Sequence, residues 1–443
     1  MVFCQELRMD RISSNRTVLK KCLEGFDLAK LASDADWSPT SRKVTALNWC
    51  LSFCMASSCK APSLRMAAHC MGMISLLDVS KQALHKRLHR GGAKLMKKAL
   101  EASIAAKSHC SKHLQLGDFK RVLIQDSTCN LLPKSLEKDY PGSKNHCGSS
   151  AILKIQAIYD MLSNQFVEFS LSSFTRNDQA AALDILEFAR KGDLILRDLG
   201  YFTLESMKRI GEKQAYFLSR YKNGTHLHHP ESGEKIDLRA FLICNGKVDT
   251  NVLSGTDARL PLRLIAIPLS EEVANRRRQK AKSNRDRRSN PNKESLELLG
   301  WQIMLTNSDQ QQLPIDRAYE IYSMRWRIET IFKAWKSGLG IHEIASHTSK
   351  KMLETMIYAT LLRITLIHSA LIPWLEARDP VRKVSICKLM DLISISASYV
   401  GDGIEENENL LENLSKHCRY DKRKRNNTLE MWDSLVSEME NLS

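Results

Sequence analysis

Three acidic residues and one helical segment carry the chemistry open to this sequence. Asp126 closes the apolar run "RVLIQD", and Asp198 closes another in "GDLILRDLGY". In open sheets, ligands bind at the carboxyl ends of strands. Two aspartates side by side there would repel one another in a low dielectric. Mg²⁺ removes the conflict, because it takes hard carboxylate oxygens and keeps water and phosphate as its other ligands. The segment "YSMRWRIETIFKAWK", residues 322–336, offers a third carboxylate. On one helix Tyr322, Arg325, Glu329 and Lys336 fall at about 0°, 300°, 340° and 320°, a polar stripe roughly 60° wide. Ile321, Ile328, Ile331, Phe332 and Trp335 lie largely around the other sides. Glu329 would then complete a metal site with Asp126 and Asp198, and two ions about 4 Å apart would activate an attacking hydroxyl and stabilise a leaving oxygen. Arg325 would clamp a phosphate with its planar fork. Tyr322 and Lys336 would fix neighbouring phosphates.

Each member also has a plainer reading. An aspartate at a strand end is commonly a turn residue. Glu329 and Lys333, four apart, make an ordinary surface pair, although Lys333 is also a candidate DNA contact. Tyr322 and Trp326 would serve as core. The ordered combination points to phosphodiester chemistry.

The elements that must position these groups follow from periodicity. Residues 1–116 read as helical, with helices over 10–26 and 43–56 and a third capped by Ser63. Ser80 caps a basic helix in "DVSKQALHKRLHRGGAKL" that turns Ala83, Leu84 and Leu88 inward and Lys81, Gln82, His85, Lys86 and Arg87 outward. Such a helix-turn-helix pattern suits a DNA-reading helix, and equally a solvated basic face. From Arg121 the order is strand, strand (151–161), strand (165–171), helix (177–191), strand (192–201), helix (203–212), strand (214–219), which predicts a mixed sheet with packed helices. Residues 219–300 read as β-rich, with strands in "EKIDLRAFLIC" and "LPLRLIAIPL". Between Arg276 and Lys293 stand nine basic residues and one acid, which predicts a mobile loop. "WQIMLTN" returns to a strand. Asp316 caps a long helix through Lys336, and helices follow over 349–372 and 381–398. Residues 402–412 are acidic and 416–427 form a basic tail.

The chain has 443 residues and a formal net charge of +16. Its length predicts several domains, and its charge favours a polyanionic partner. The most apolar stretch, 356–375, is broken by Arg363, His368 and Pro373, so it predicts a buried helix rather than a membrane span. The N-terminus lacks the apolar core of a secretory signal. The 12 cysteines are scattered, which fits a reducing compartment. Zinc on Cys50, Cys54, His69 and Cys70 is conceivable, but no tight Cys pair supports it.

"YSMRWRIETIFKAWK" resembles the Tyr-x2-Arg-x3-Glu-x6-Lys signature of the DDE transposases of insertion-sequence family four. Tyr322, Arg325, Glu329 and Lys336 match its four positions. "IQDSTCN" around Asp126 and "LRDLGYF" around Asp198 are similar to the two aspartate segments, with Leu199 where the family often has arginine. The resemblance covers about residues 120–345. It implies a ribonuclease-H-like mixed-sheet catalytic core with a β-rich insertion, plus helical N- and C-terminal regions. The corresponding domains are 1–116 (helical, DNA-binding), 117–218 and 301–348 (the two parts of the core), 219–300 (insertion) and 349–443 (helical, with the basic tail). It also implies that Trp301 stacks on a flipped base. The same family knowledge implies Mg²⁺, with Mn²⁺ as substitute, and double-stranded DNA at terminal inverted repeats and target. It implies a homodimer in a paired-end complex, hairpin intermediates, and a bacterial, cytoplasmic, nucleoid-associated setting away from membranes. Arg276, Arg277 and Arg278 would neutralise DNA backbone. The alternatives are a ribonuclease-H-like nuclease without strand transfer and a catalytically inactive transposase-derived DNA-binding protein.

Overall fold

The computed structural model describes residues 15–37, 44–59, 62–75, 78–107, 115–145, 148–257, 259–283, 291–339, 341–344, 349–399, 408–421 and 428–440. In chain order the α-helices of more than four residues are α1 (Asn15–Glu24), α2 (Leu28–Asp34), α3 (Ala46–Ala56), α4 (Leu64–Ser75), α5 (Lys81–Arg87), α6 (Ala93–Lys107), α7 (Leu204–Glu212), α8 (Leu238–Asn245), α9 (Glu271–Lys282), α10 (Lys293–Leu298), α11 (Ile315–Ser323), α12 (Trp326–Gly338), α13 (Lys350–Leu366), α14 (Ile372–Arg378), α15 (Ile386–Tyr399), α16 (Glu408–His417) and α17 (Thr428–Glu440). The strands are β1 (Arg121–Leu132), β2 (Pro141–Asn145), β3 (Gly148–Asp160), β4 (Gln165–Ser173), β5 (Asp193–Arg197), β6 (Tyr216–Arg220), β7 (Leu227–His228), β8 (Val248–Ser254), β9 (Leu260–Pro268) and β10 (Trp301–Thr306). The chain forms two compact units: residues 1–114, 127–176 and 327–431, and residues 115–126, 177–326 and 432–443.

The first unit is mainly helical. Its α3 and α13 are almost entirely buried, because each is apolar around most of its circumference. The stretch Lys350–Arg378 is long and apolar enough to cross a membrane by length and composition, and 83% of its most apolar window is buried inside the protein. It is a core helix, as its sequence suggests. Ser63 and Ser80 accept hydrogen bonds from Met66 N at 3.2 Å and Ala83 N at 3.3 Å, satisfying orphan donors at helix starts. Between α5 and α6 the backbone kinks at Gly91 (φ 83°), where a Cβ would stand 2.4 Å from the carbonyl oxygen of Ala35, so only glycine fits. Strands β2, β3 and β4 belong to this unit, with β3 pairing antiparallel to both others.

The second unit is a mixed sheet in the order β1-β5-β6-β10-β9-β8-β7. The β1-β5-β6 part is parallel and the β6-β10-β9-β8-β7 part antiparallel. Strand β1 is common to both units and neighbours β3 as well as β5. The architecture is therefore a mixed core sheet flanked by helical regions, with the ribonuclease-H-like arrangement of antiparallel strands leading into a parallel group. Val122–Ile124 and all of β5 are buried, as expected for parallel strands covered on both faces.

Several elements differ from the sequence expectation. Residues 177–191 hold turns and one short 3-10 stretch, Asp184–Glu187, instead of an α-helix. The segment read as a strand over 234–244 is largely α8, because Asp237 caps it by accepting from Ala240 N at 3.0 Å, and strand-like apolar runs of this length do not distinguish the two states. The basic run begins inside α9, so 276–282 is helical, while 284–290 lies outside the described residues. Most consequentially, the long helix expected from Asp316 to Lys336 is two helices. The amides of Met324 and Arg325 bond to Ile321 and Tyr322, three residues back, and this tightened turn breaks the 100° phase between Tyr322 and Glu329. The start of the basic tail is also folded: Arg419 is 3% exposed and donates to the carbonyls of Leu375 at 2.5 Å and Arg382 at 2.7 Å.

Candidate active site

Asp126 and Asp198 come from neighbouring parallel strands. The β1-β5 register pairs Arg121 with Asp193 and runs to Gln125 opposite Arg197. Each aspartate is the next residue, and adjacent strands lie about 4.8 Å apart. Asp198 leaves β5 in extended conformation and starts a single 3-10 turn, with no side-chain capping bond. Asp126 does not end its strand, contrary to the sequence reading. β1 continues to Leu132, and Asp126 marks only where the pairing with β5 stops.

The β1-β5 register is pinned at its far end. Arg121 Nε and Nη2 donate to Asp193 Oδ1 at 2.9 Å and Oδ2 at 2.6 Å, a bidentate pair between register partners. Arg190 N donates to the same carboxylate at 2.7 Å.

Beneath the aspartates lies a buried polar layer that the sequence reading missed. Arg197 Nη1 donates to the carbonyl of Ala182 at 2.8 Å and Nη2 to Ser206 Oγ at 3.0 Å. Gln125 Nε2 donates to the carbonyl of Ala181 at 3.0 Å. Burial lowers the Arg197 pKa to about 10, still well above neutrality, so a cation sits directly before Asp198. The signal was present, since arginine within the apolar "LILR" must find partners when buried.

Arg325 belongs to this site. Its Nη1 donates to Asp126 Oδ2 at 3.2 Å, and both side chains are largely buried, 12% and 16% exposed. Tyr322 is buried as well, and its hydroxyl donates to the carbonyl of Arg197 at 3.1 Å. Burial raises the phenol pKa, the Asp198 charge raises it further, and Arg325 opposes them. Tyr322 is therefore a neutral donor that ties α11 to the end of β5.

Glu329 and Lys336 fall in the first unit, on α12. Glu329 stands in the first turn, half-buried, while Lys333 and Lys336 are exposed. Trp326, expected to pack, is instead 60% exposed. Trp301 opens β10, half-buried, with its indole N–H lacking a hydrogen-bond partner among the described residues.

Arg276, Arg277 and Arg278 stand on α9, and each has side-chain hydrogen-bond partners. Arg276 is exposed and pairs with Glu272 at 2.5 Å. Arg277 donates to Gln302 Oε1 at 2.8 Å. Arg278 bonds to Glu271 at 2.8 Å, Asn275 at 2.9 Å and the carbonyl of Leu296 at 3.2 Å. On α5, Lys81, Gln82 and Lys86 point outward as expected. Arg87 does not: it is 5% exposed, and its Nη1 donates back to the carbonyl of Ala83 at 2.9 Å.

Among the described residues no three Asp, Glu, His or Cys side chains form a ready-made metal cluster. Asp126 and Asp198 nevertheless fit Mg²⁺, which is commonly held by one or two carboxylates, with substrate phosphate and water completing its shell.

A mixed core sheet in which Asp126 and Asp198 directly follow the paired residues of two neighbouring parallel strands is the frame of the site, and the class of protein is set by comparison. Residues 117–364 match the transposase DDE domain, and the chain belongs to that family. It is 28% identical over 365 residues to the transposase for insertion sequence element IS231B of Bacillus thuringiensis subsp. berliner, covering 74% of each chain. It is also 28% identical over 375 residues to the transposase for insertion sequence element IS1151 of Clostridium perfringens, covering 78% of this chain and 79% of that one. The solved piggyBac transposase synaptic complex with hairpin DNA shares 10% identity at a TM-score of 0.40, over 95% of this chain and 88% of that one, a likeness too slight to carry weight.

Proposed function

We propose that the protein is an insertion-sequence transposase of family four that cleaves DNA at the element's terminal inverted repeats and joins the ends to target DNA. The observation that carries this reading is the Arg325–Asp126 pair beside Asp198. It supports the signature arginine and the first aspartate as members of one site. Asp126, Asp198 and Glu329 are the residues that would hold Mg²⁺, with Mn²⁺ as substitute. When bound, such ions supply Lewis-acid polarisation of phosphate oxygen and a nucleophilic hydroxyl at neutral pH.

The chain's own residues divide the remaining work. Arg325 pairs with a carboxylate here and has the geometry to exchange it for a phosphate. Tyr322 fixes the backbone next to Asp198 and, being protonated, does so at any physiological pH. Lys336 and Lys333 offer point charges to neighbouring phosphates, and Trp301 a ring face for an unstacked base. Lys81, Gln82 and Lys86 contact the terminal repeats, and Arg276, Arg277 and Arg278 the backbone. A homodimer on paired ends, in the bacterial cytoplasm, completes the reading.

The experiment is a denaturing gel of labelled terminal-repeat duplex incubated with and without Mg²⁺. Metal-dependent nicking with hairpin or joined products supports a transposase. Nicking alone supports a nuclease without strand transfer, and specific binding without cleavage supports an inactive DNA-binding descendant.

Two further outcomes are expected. Arg325→Lys lowers cleavage about tenfold or more despite keeping the charge, because an ammonium cannot hold carboxylate or phosphate with two parallel bonds; equal rates in single-turnover assays would show that Arg325 acts as a point charge. Alanine at Arg276, Arg277 and Arg278 together reduces both DNA affinity and the slope of log K against log salt, by up to about 0.9 for every phosphate that is no longer neutralised. An unchanged slope in a salt titration would remove α9 from the interface.

A further inference from the structure

Two exposed histidines in the helical N-terminal part of the first unit take no part in the chemistry above. His85 is on α5, and His89 is on the π-helical turn that follows it, Leu88–Gly92. Residues four apart on a helix share a face, and here the two rings meet. Their Nε2 atoms stand 3.3 Å apart. The ring centroids are 4.6 Å apart and the planes are tilted by 58°. The inward side of the same segment is fixed, because Leu84 and Leu88 are buried. His89 is held a second time through its backbone, since Lys351 Nζ on α13 lies 3.4 Å from its carbonyl oxygen.

The separation is what a chelated ion requires. Zinc takes imidazole nitrogen at about 2.0–2.1 Å in tetrahedral geometry. Two nitrogens at that radius and angle are about 3.3–3.4 Å apart, which is the spacing found. A square-planar or octahedral ion, with its ligands at right angles, would need the pair closer, at about 2.8–3.0 Å. Without an ion, one Nε2–H points at the other nitrogen, at a distance just past the ~2.7–3.2 Å of a good N–H hydrogen bond.

We infer that His85 and His89 form a surface site for a zinc ion, bound through the two Nε2 atoms with water completing its shell. Nothing in this depends on the reaction proposed above, because imidazole nitrogen suits zinc and the hard Mg²⁺ prefers oxygen. A metal ligand must be the neutral imidazole. Desolvation, then the Lys351 and His85 charges, holds the His89 pKa below its ordinary value, which favours that form at neutral pH. The opposing terms are the positive side chains around the pair. Lys81, Lys86 and Arg90 are exposed, where salt screens them. Lys351 Nζ is 3.4 Å from His89 Nδ1. Zinc at Nε2 puts the ring proton on Nδ1, so the exposed lysine gives up that contact and keeps the His89 carbonyl.

The test is residue-level footprinting of the full chain with diethyl pyrocarbonate, which modifies free imidazole nitrogen, read by mass spectrometry at pH 7 in excess Mg²⁺. Titrated Zn²⁺ is expected to protect His85 and His89 together, at a concentration that leaves the exposed His417 reactive. In His85→Gln, a change on the exposed face that leaves the buried side of α5 intact, half-protection of His89 should need at least about tenfold more Zn²⁺, because the second attachment no longer acts at high effective concentration. Equal protection of His417, protection by Mg²⁺ alone, or an unchanged Zn²⁺ requirement of His89 in His85→Gln would each overturn the site.

Discussion

Alanine at Asp198 is expected to abolish Mg²⁺-dependent cleavage of terminal-repeat DNA, by at least about 10³-fold, while DNA binding and thermal stability stay near wild type. Loss of a metal-holding carboxylate forfeits several kcal/mol of charge stabilisation, and each 1.36 kcal/mol is tenfold in rate. Asp198 is the cleanest position for this test. Its side chain makes no capping bond to the turn it begins, so removing it takes little from the fold. Asp126 is less clean, because alanine there strips the largely buried Arg325 of a carboxylate partner, and part of any loss would be structural. Glu329→Ala should match Asp198→Ala in rate, since Glu329 sits half-buried on the first turn of α12 and not in the apolar side of that helix. Single-turnover cleavage alongside fluorescence anisotropy for binding separates the effects. Cleavage within a few fold of wild type in either variant would sink the assignment of these carboxylates.

The sequence made the two aspartates legible because parallel strands buried on both faces read as short apolar runs, and an acid that interrupts such a run stands out. It also made the register plausible, since both runs place the acid after a similar number of apolar residues. What it hid was local. Asp126 looked terminal because the polar and buried residues that follow, Ser127 to Asn130, do not resemble a strand, yet the strand continues through them with Thr128 and Asn130 buried. The helix break at Met324–Arg325 left no glycine or proline to announce it, and a wheel drawn through the break put Tyr322 on a polar stripe when it is 6% exposed. Periodicity reports a face only while the phase holds. Arg87 and Arg278 looked like solvated charges because composition cannot tell a basic side chain that faces water from one that folds back on a carbonyl. The helices that do match, such as those begun by Ser80 and by Thr203, are those whose caps the sequence shows directly.

Asp193→Ala is expected to cost about 3–5 kcal/mol of stability, the range for removing one partner of a buried charge pair, and to reduce cleavage although it lies a strand's length from the aspartates. Asp193 is 1% exposed on its side chain and Arg121 20%, so the arginine regains some water and the loss should fall towards the lower end. The carboxylate also takes the amide of Arg190, which loses its acceptor. The reach to the active site comes through register. Arg121 and Asp193 are paired at one end of β1-β5, and Gln125 and Arg197 at the other. A slip by one residue would turn every side chain of β1 to the opposite face and separate Asp126 from Asp198. Urea denaturation reads the stability change as a lower midpoint at constant slope, and cleavage is measured well below the new melting temperature, where the variant is folded. The double replacement Arg121→Leu with Asp193→Leu should recover much of the stability, because a packed apolar pair can replace a buried ion pair. If it recovers stability and cleavage together, the pair acts by holding the register. If stability returns and cleavage does not, the directional bidentate bonds are themselves what aligns Asp126 with Asp198. Should Asp193→Ala unfold at the wild-type midpoint, the pinning role is wrong, and the hydrophobic pattern of β1 and β5 alone sets the geometry of the site.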